Sequence, residues 1–312
     1  MATTYTETPN NYNAIELFVK SDDKDIKKAF ISAERVLFYD TCSFQRHSGL
    51  SDREQSILIN YYKVHDTMIC ITRCVLMELS SDYHILPKEY VDFIKNLYDA
   101  GVVVAIFNEE YTFDILSECF ATNEKINEYL VWAVRTVKSP VSTIEYTLKV
   151  DKKLYSDVIE GKNLRRSDLY IRFFSAVRGN KEHSDNLGEE LIAICIHILS
   201  YLVGVKDGKL CVLTDDKGAA GKIDSVIRRT NSKNRGAKIM LFSTPKLVQH
   251  MYQEKITMSE EEMENIISKG TSGKIVVMGM TAFNLSIEDK ISMTSRELVQ
   301  KIMEPNGITI VF

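Results

Sequence analysis

The chain has no run of about 18 apolar residues free of charge, so nothing in it reads as a membrane span. Its opening, MATTYTETPNNYN, carries neither the basic start nor the apolar core of a secretory signal. These two absences lead us to expect a soluble, cytoplasmic protein with no membrane partner. There is also no bulk positive charge: 39 Lys and Arg against 43 Asp and Glu give a net charge of -4, which excludes polyanion binding by overall charge. The six cysteines, at 42, 70, 74, 119, 195 and 211, lie mostly in apolar runs, and the i, i+4 pair Cys70 and Cys74 has no second metal-type pair to complete a zinc site. Reduced core thiols fit better. No internal repeat or low-complexity linker is present, and the glycines of DDKGAAGK do not follow a phosphate-loop pattern, which leaves nucleotide hydrolysis little support.

What is there suffices for a large core, since 45% of the 312 residues are hydrophobic. Short aliphatic runs at 35–39 (RVLFY), 102–107 (VVVAIF), 210–214 (LCVLT) and 239–243 (IMLFS) have the size and composition of buried strands. Between them lie helical segments: SDREQSILINYYKV, ITRCVLMELS, PKEYVDFIKNLYDA, a mainly helical stretch from 109 to about 180, GEELIAICIHILSYLVG and KGAAGKIDSVIRRT. Strands alternating with helices predict a three-layer α/β/α fold around a central, mostly parallel sheet. Residues from about 108 to 186 are too many for a simple crossover and read as a helical insertion, with Pro140 marking a break. The division expected is an N-terminal helical extension over 1–33, a main domain over 34–250 with that insertion, and a C-terminal α/β extension over 251–312. The last part, with strand-like KIVVMGM and GITIVF, fits either a small appended lobe or an extension of the main sheet.

Two segments are locally basic. Lys217, Lys222, Arg228, Arg229, Lys233, Arg235 and Lys238 stand against the single acid Asp224, and Lys162, Arg165, Arg166, Arg172, Arg178 and Lys181 interleave with Tyr170, Phe173 and Phe174. Each is either a solvated helix face or a place where phosphates pair with cations and bases stack on rings.

In a parallel sheet, residues just past the carboxyl ends of strands line a common crevice. Asp40 ends the first strand, and Asp215 and Asp216 end LCVLTDD, so they fall on one edge. Glu78 sits at the border of an apolar helix face, and Glu189 and Glu190 open an otherwise apolar helix. Singly, Asp40 is explained as a turn residue, Glu78 as a solvent-facing glutamate and Glu189 by the helix dipole. The order strand-Asp (VLFYDTCSF), helix with Glu (ICITRCVLMELS), helix opened by Glu (LGEELIAICIHIL), strand-Thr-Asp-Asp (VLTDDKGAA) resembles the PIN-domain family of metal-dependent nucleases, over about 34–107 and 186–250.

That resemblance implies an acidic cluster of Asp40, Glu78, Glu189 and Asp216, with Asp215 as rival for the fourth place, supported by the hydroxyls of Thr41, Ser43 and Thr214. It further implies Mg²⁺ or Mn²⁺ as cofactor, a two-metal phosphodiester hydrolysis, and RNA in preference to DNA as substrate. Hard oxygen ligands without His or Cys suit those ions better than zinc. The basic stretch that follows Asp216 at once, with Arg165 and Arg166, would then contact the nucleic acid. The insertion, absent from compact members of the family, and the C-terminal extension are candidate contacts for a protein partner or inhibitor, and an oligomer is compatible with both.

Other readings are an inactive binding module on the same sheet, a haloacid-dehalogenase-like phosphotransferase, and a cysteine phosphatase. The second lacks an Asp two residues after Asp40, where Cys42 stands, and the third lacks the loop arginine. His183, just before the third acid, fits a surface loop unless it assists a phosphate or metal-bound water. His197, inside an apolar helix, fits packing.

Overall fold

The computed structural model describes residues 5–137, 142–182, 185–232, 236–281 and 290–312. After two short 3-10 turns and α1 (Asp23–Ser32), the chain runs β1 (Arg35–Tyr39), α2 (Thr41–Ser48), α3 (Asp52–Val64), β2 (Thr67–Thr72), α4 (Arg73–Leu79), α5 (Lys88–Asp99) and β3 (Val104–Phe107). Five helices follow: α6 (Tyr111–Leu116), α7 (Asn123–Thr136), α8 (Ser142–Val150), α9 (Lys152–Val158) and α10 (Leu169–Gly179). Then come α11 (Leu187–Leu199), β4 (Leu210–Leu213), α12 (Lys217–Ser232), β5 (Met240–Phe242) and α13 (Thr244–Gln253). The chain closes with α14 (Glu260–Ser268), β6 (Ile275–Met280), β7 (Lys290–Met293), α15 (Ser295–Met303) and β8 (Thr309–Ile310).

Strands β1 to β5 form one sheet in the order β3-β2-β1-β4-β5, and every pairing in it is parallel. All residues of β2, β3 and β4 are buried, and four of the five in β1. A sheet dry on both faces needs helices on both, so the protein is an α/β fold whose arrangement is consistent with three layers. Strand order reverses direction at β1: the chain steps to β2 and β3 on one side, then to β4 and β5 on the other. That switch point opens a crevice beyond the carboxyl ends of β1 and β4.

One strand differs from expectation. TMICIT, residues 67–72, is β2, although the sequence there reads as the start of a helix. The helix begins only at Arg73, where Thr72 accepts a hydrogen bond from the Val75 N–H and caps it. Among the described residues the tail does not extend the main sheet. Strands β6, β7 and β8 make a separate antiparallel sheet in the order β7-β6-β8, tied to α13 by Gln249, which bonds the backbone of Ile308 and Ile310 at 2.8 Å each. Gly279 has to be glycine there, because a Cβ would lie 2.6 Å from the Thr309 carbonyl oxygen. The break expected at Pro140 lies outside the described residues.

The helices α6 to α10 are fastened to the sheet by a buried charge. Arg178, 2% exposed, pairs with Glu109 at 2.5 Å and Glu110 at 2.8 Å, while its Nε reaches Glu7 at 2.8 Å. Glu109 also accepts the Cys74 N–H at 2.9 Å, which locks the end of β3 to the first turn of α4. Burial pushes the Glu109 carboxyl up, and the Arg178 guanidinium opposes that shift. Removing the arginine would leave a buried carboxylate without its cation. Arg178→Met is therefore expected to lower unfolding free energy by about 3–5 kcal/mol in chemical denaturation, far more than an equivalent change at exposed Arg165.

Candidate functional site

Asp40 follows β1 directly and occupies the N-cap position of α2, yet its side chain makes no capping bond. Its Oδ2 instead accepts from Thr214 Oγ1 at 2.8 Å and Cys42 Sγ at 2.9 Å. Its backbone N–H donates to the Leu213 carbonyl at 2.9 Å, continuing the β1–β4 ladder by one residue and bringing Asp40 beside the Thr214–Asp216 turn. Burial raises the Asp40 pKa, the bonds from Cys42 and Thr214 oppose that rise, and the neighbouring Asp216 adds to it.

Glu78 reaches the same edge from α4. Its Oε2 accepts from Thr41, and its carboxylate lies against the first turn of α11, where a Cβ on Gly188 would sit 2.9 Å from Oε1. Asp216, exposed at the start of α12, accepts the Ala219 N–H at 2.8 Å and donates its own N–H to Thr214 Oγ1 at 3.2 Å. Glu189 stands in the first turn of α11, half-buried, and no donor or cation from another side chain pairs with it among the described residues. Its pKa is raised to about 8, first by burial, then by repulsion from Asp40, with Glu78 and Asp216 contributing. Asp40, Glu78 and Asp216 thus all act on Glu189 at this edge.

The rivals are accounted for differently. Asp215 is tied into the scaffold: it accepts from Ser43 Oγ at 2.9 Å and from the Thr244 N–H and Oγ1 at 2.7 and 2.6 Å, and it faces Arg46 Nη1 at 3.3 Å. Glu190 is buried on the other side of α11 and faces Lys222 at 3.6 Å. Beneath Asp215 runs a buried chain in which Thr244 Oγ1 meets His47 Nε2 at 2.9 Å, His47 Nδ1 meets the Tyr39 hydroxyl at 2.9 Å, and Tyr39 meets the Tyr62 hydroxyl at 2.6 Å. Burial lowers the His47 pKa to about 4, so this imidazole is neutral at physiological pH.

The basic segments change most. Arg178 and Lys181 point inward, and Arg172 pairs with buried Asp157 at 3.0 Å. Lys162, Arg165 and Arg166 face Glu160, Glu124 and Asp168 at 2.6, 3.5 and 2.7 Å. The cations of this second basic stretch are thus taken up by ion pairs, most of them within the helical insertion, with Arg178 and Lys181 also reaching Glu7 and Glu78 outside it. In the first stretch Lys217 is exposed beside Asp216, Lys222 and Arg228 face Glu190 and Asp224, and Lys238 faces Asp207. Lys233 and Arg235, the Arg229 side chain and His183 lie outside the described residues. His197 is buried, as its apolar helix suggests.

Comparison with protein-family models, curated proteins and solved structures gave no match. The site therefore stands on its own geometry. Lys181 was the least visible of its parts. Its Nζ lies 2.8 Å from Glu78 and 2.5 Å from Asp185, with a side chain 2% exposed. Burial works against its charge, but Cys74, Glu78 and Asp185 outweigh that and raise its pKa. The only sequence hint is the i, i+4 spacing of Lys181 and Asp185 directly before the Glu189 helix.

Two measurements check this geometry. Gly188→Ala forces a methyl group into the Glu78 carboxylate and is expected to cost about 1–3 kcal/mol, whereas Gly179→Ala, with open space around it, is expected to be neutral or slightly stabilising. The Glu189 shift has a definite sign. The folded state keeps that proton up to about pH 8 while the unfolded chain releases it near its ordinary value of 4.5, so folding stability falls as pH rises between the two. Glu189→Gln should match the parent in thermal stability at pH 4 and exceed it increasingly up to pH 8, by about 1–3 kcal/mol after allowance for partial exposure.

Proposed function

We propose that the protein is a metal-dependent phosphodiesterase of the PIN-like kind, cutting RNA. What supports this reading is that Asp40, Glu78 and Asp216 all act on Glu189 near the switch point of the parallel sheet, where burial first and then these acids push Glu189 to about 8, and that only Glu78 among them has an internal cation, Lys181. Such an arrangement calls for a bound cation, and all its donors are hard oxygens. Among the described residues no group of three His, Cys, Asp or Glu side chains is arranged to hold a metal ion. Mg²⁺ keeps most of its waters and needs only one or two carboxylates, so the donor set fits it or Mn²⁺ without a preformed cage. Asp40 and Asp216 would hold the ion, with Glu189 beside it. Bound there, the ion would polarise the phosphoryl oxygens and lower the pKa of a water.

The chain's own residues do the remainder. Thr214 and Cys42 fix the Asp40 carboxylate in one orientation. In its ionised form Glu189 would be placed to accept the proton of the attacking water at a carboxylate oxygen as the new O–P bond forms and the bond to the leaving oxygen breaks, that oxygen taking a proton from solvent. Lys217, exposed next to Asp216, supplies a cation on the rim for the strand's phosphates. A second reading, an inactive binding module, draws on the Lys181–Glu78 pair, which neutralises one acid with an internal cation.

Incubation of the purified chain with assorted RNA and DNA in Mg²⁺ or Mn²⁺ separates the two. Cleavage of RNA, abolished by a chelator and reduced about 100-fold or more by Asp40→Asn, is the expected result. Equal cutting by Asp40→Asn overturns the site assignment, and absence of any metal-dependent cutting favours the binding module.

A further inference from the structure

We infer that Tyr61, His250 and Glu254 form a proton-operated latch: with His250 neutral, a hydrogen bond from Tyr61 fastens the end of α13 to α3, and uptake of one proton by His250 breaks that bond and loosens α13 with the small sheet it carries. The latch uses none of the residues of the acidic edge. Its protons are fixed by a count of donors. Arg35 Nη1 lies 2.6 Å from the Tyr61 hydroxyl, and a guanidinium can only donate, so the hydroxyl oxygen accepts and its one proton is left for another partner. That partner is His250 Nδ1, at 3.0 Å. Nδ1 therefore accepts, which puts the proton of the neutral imidazole on Nε2.

Glu254 Oε1 lies 3.2 Å from the same Nδ1, one turn further along α13, while Glu254 Oε2 meets His65 Nε2 at 2.5 Å. Protonation of Nδ1 reverses the pairing: the new N–H donates to Glu254, and Tyr61 is left holding a proton without an acceptor among the described residues. A bond between helices is exchanged for one within α13. The new charge then faces Arg35 from β1, His65 from α3 and Lys246 from α13, with Glu254 alone opposing them, while Tyr61 and the Phe242 ring are neutral. Burial accordingly lowers the His250 pKa, Glu254 resists the fall, and Arg35, His65 and Lys246 add to it. The unfolded chain takes up this proton below its ordinary value of 6.5 whereas the folded state resists, so the latch contributes its full stability above that pH and loses it as the pH falls. Gln249, the residue before His250, bonds Ile308 and Ile310, so the C-terminal sheet hangs on the same turn.

The test reads the latch locally in the full chain, by NMR of the His250 ring and by amide hydrogen exchange, because Glu189 titrates over an overlapping range with the opposite effect on global stability. At neutral pH the His250 ring is expected to carry its proton on Nε2 alone. The Ile310 amide, which donates to Gln249, is expected to open about threefold or more often at about pH 5.5 than at about pH 7.5, once the intrinsic pH dependence of exchange is removed. His250→Gln, which keeps an acceptor for Tyr61 but takes up no proton, is expected to abolish that difference. Tyr61→Phe, the second variant, removes the hydroxyl that favours the neutral ring and is expected to raise the titration midpoint of His250 by about half a pH unit or more. A proton on Nδ1 at neutral pH, an Ile310 difference that survives in His250→Gln, or an unmoved midpoint in Tyr61→Phe overturns the latch.

Discussion

Strand β1 is paired in parallel with a neighbour on each side, β2 and β4, and its last ladder bond, from the Asp40 N–H to Leu213, fixes where the acidic edge lies. A parallel sheet sends all its strand ends the same way, so the residues after β1 and β4 meet without any special loop. Helices returning from β2 and entering from the insertion then bring Glu78 and Glu189 against that edge from above. The four acids are distant in sequence but neighbours through topology alone.

Having gathered carboxylates, the fold has to hold them. Uncompensated charge in a dry site is expensive, and three devices reduce the cost here. Hydroxyl and thiol donors from Thr41, Cys42 and Thr214 stabilise ionised oxygens. Internal cations, Arg178 on Glu109 and Lys181 on Glu78, balance two further acids. Asp215 is absorbed into a network with Ser43, Thr244 and Arg46 that joins the ends of β4 and β5. What remains unbalanced is the side of the edge bearing Asp40, Asp216 and Glu189.

Much of this was legible in the chain. The apolar runs of β1, β4 and β5 stand out because buried parallel strands are hydrophobic throughout, and the acids at their ends follow from the pattern. β2 was hidden because TMICIT passes into RCVLMEL with no Gly or Pro between them, and only Thr72, a capping residue, marks the change of period. β7, KISM, has no buried face for alternation to reveal. The preference for Asp216 over Asp215 and for Glu189 over Glu190 came with the family resemblance, and in the structure the members of each pair have different partners. The charge partners themselves were not legible. Arg178 and Lys181 looked like members of a basic surface stretch, since nothing local tells a buried cation from an exposed one when its carboxylates come from a strand and helix far upstream.

That distance bears on how the protein can be made. As a chain is synthesised, β1, β2, α4 and the Glu109 turn emerge well before Arg178 and Lys181, and domains tend to form from the N-terminal side as they appear. Until the end of the insertion arrives, the carboxylates of Glu78 and Glu109 have no internal cation and must stay hydrated or protonated, so this half of the sheet cannot close dry. The insertion is then the last piece of a charge balance begun some way upstream, and maturation of the edge waits for it.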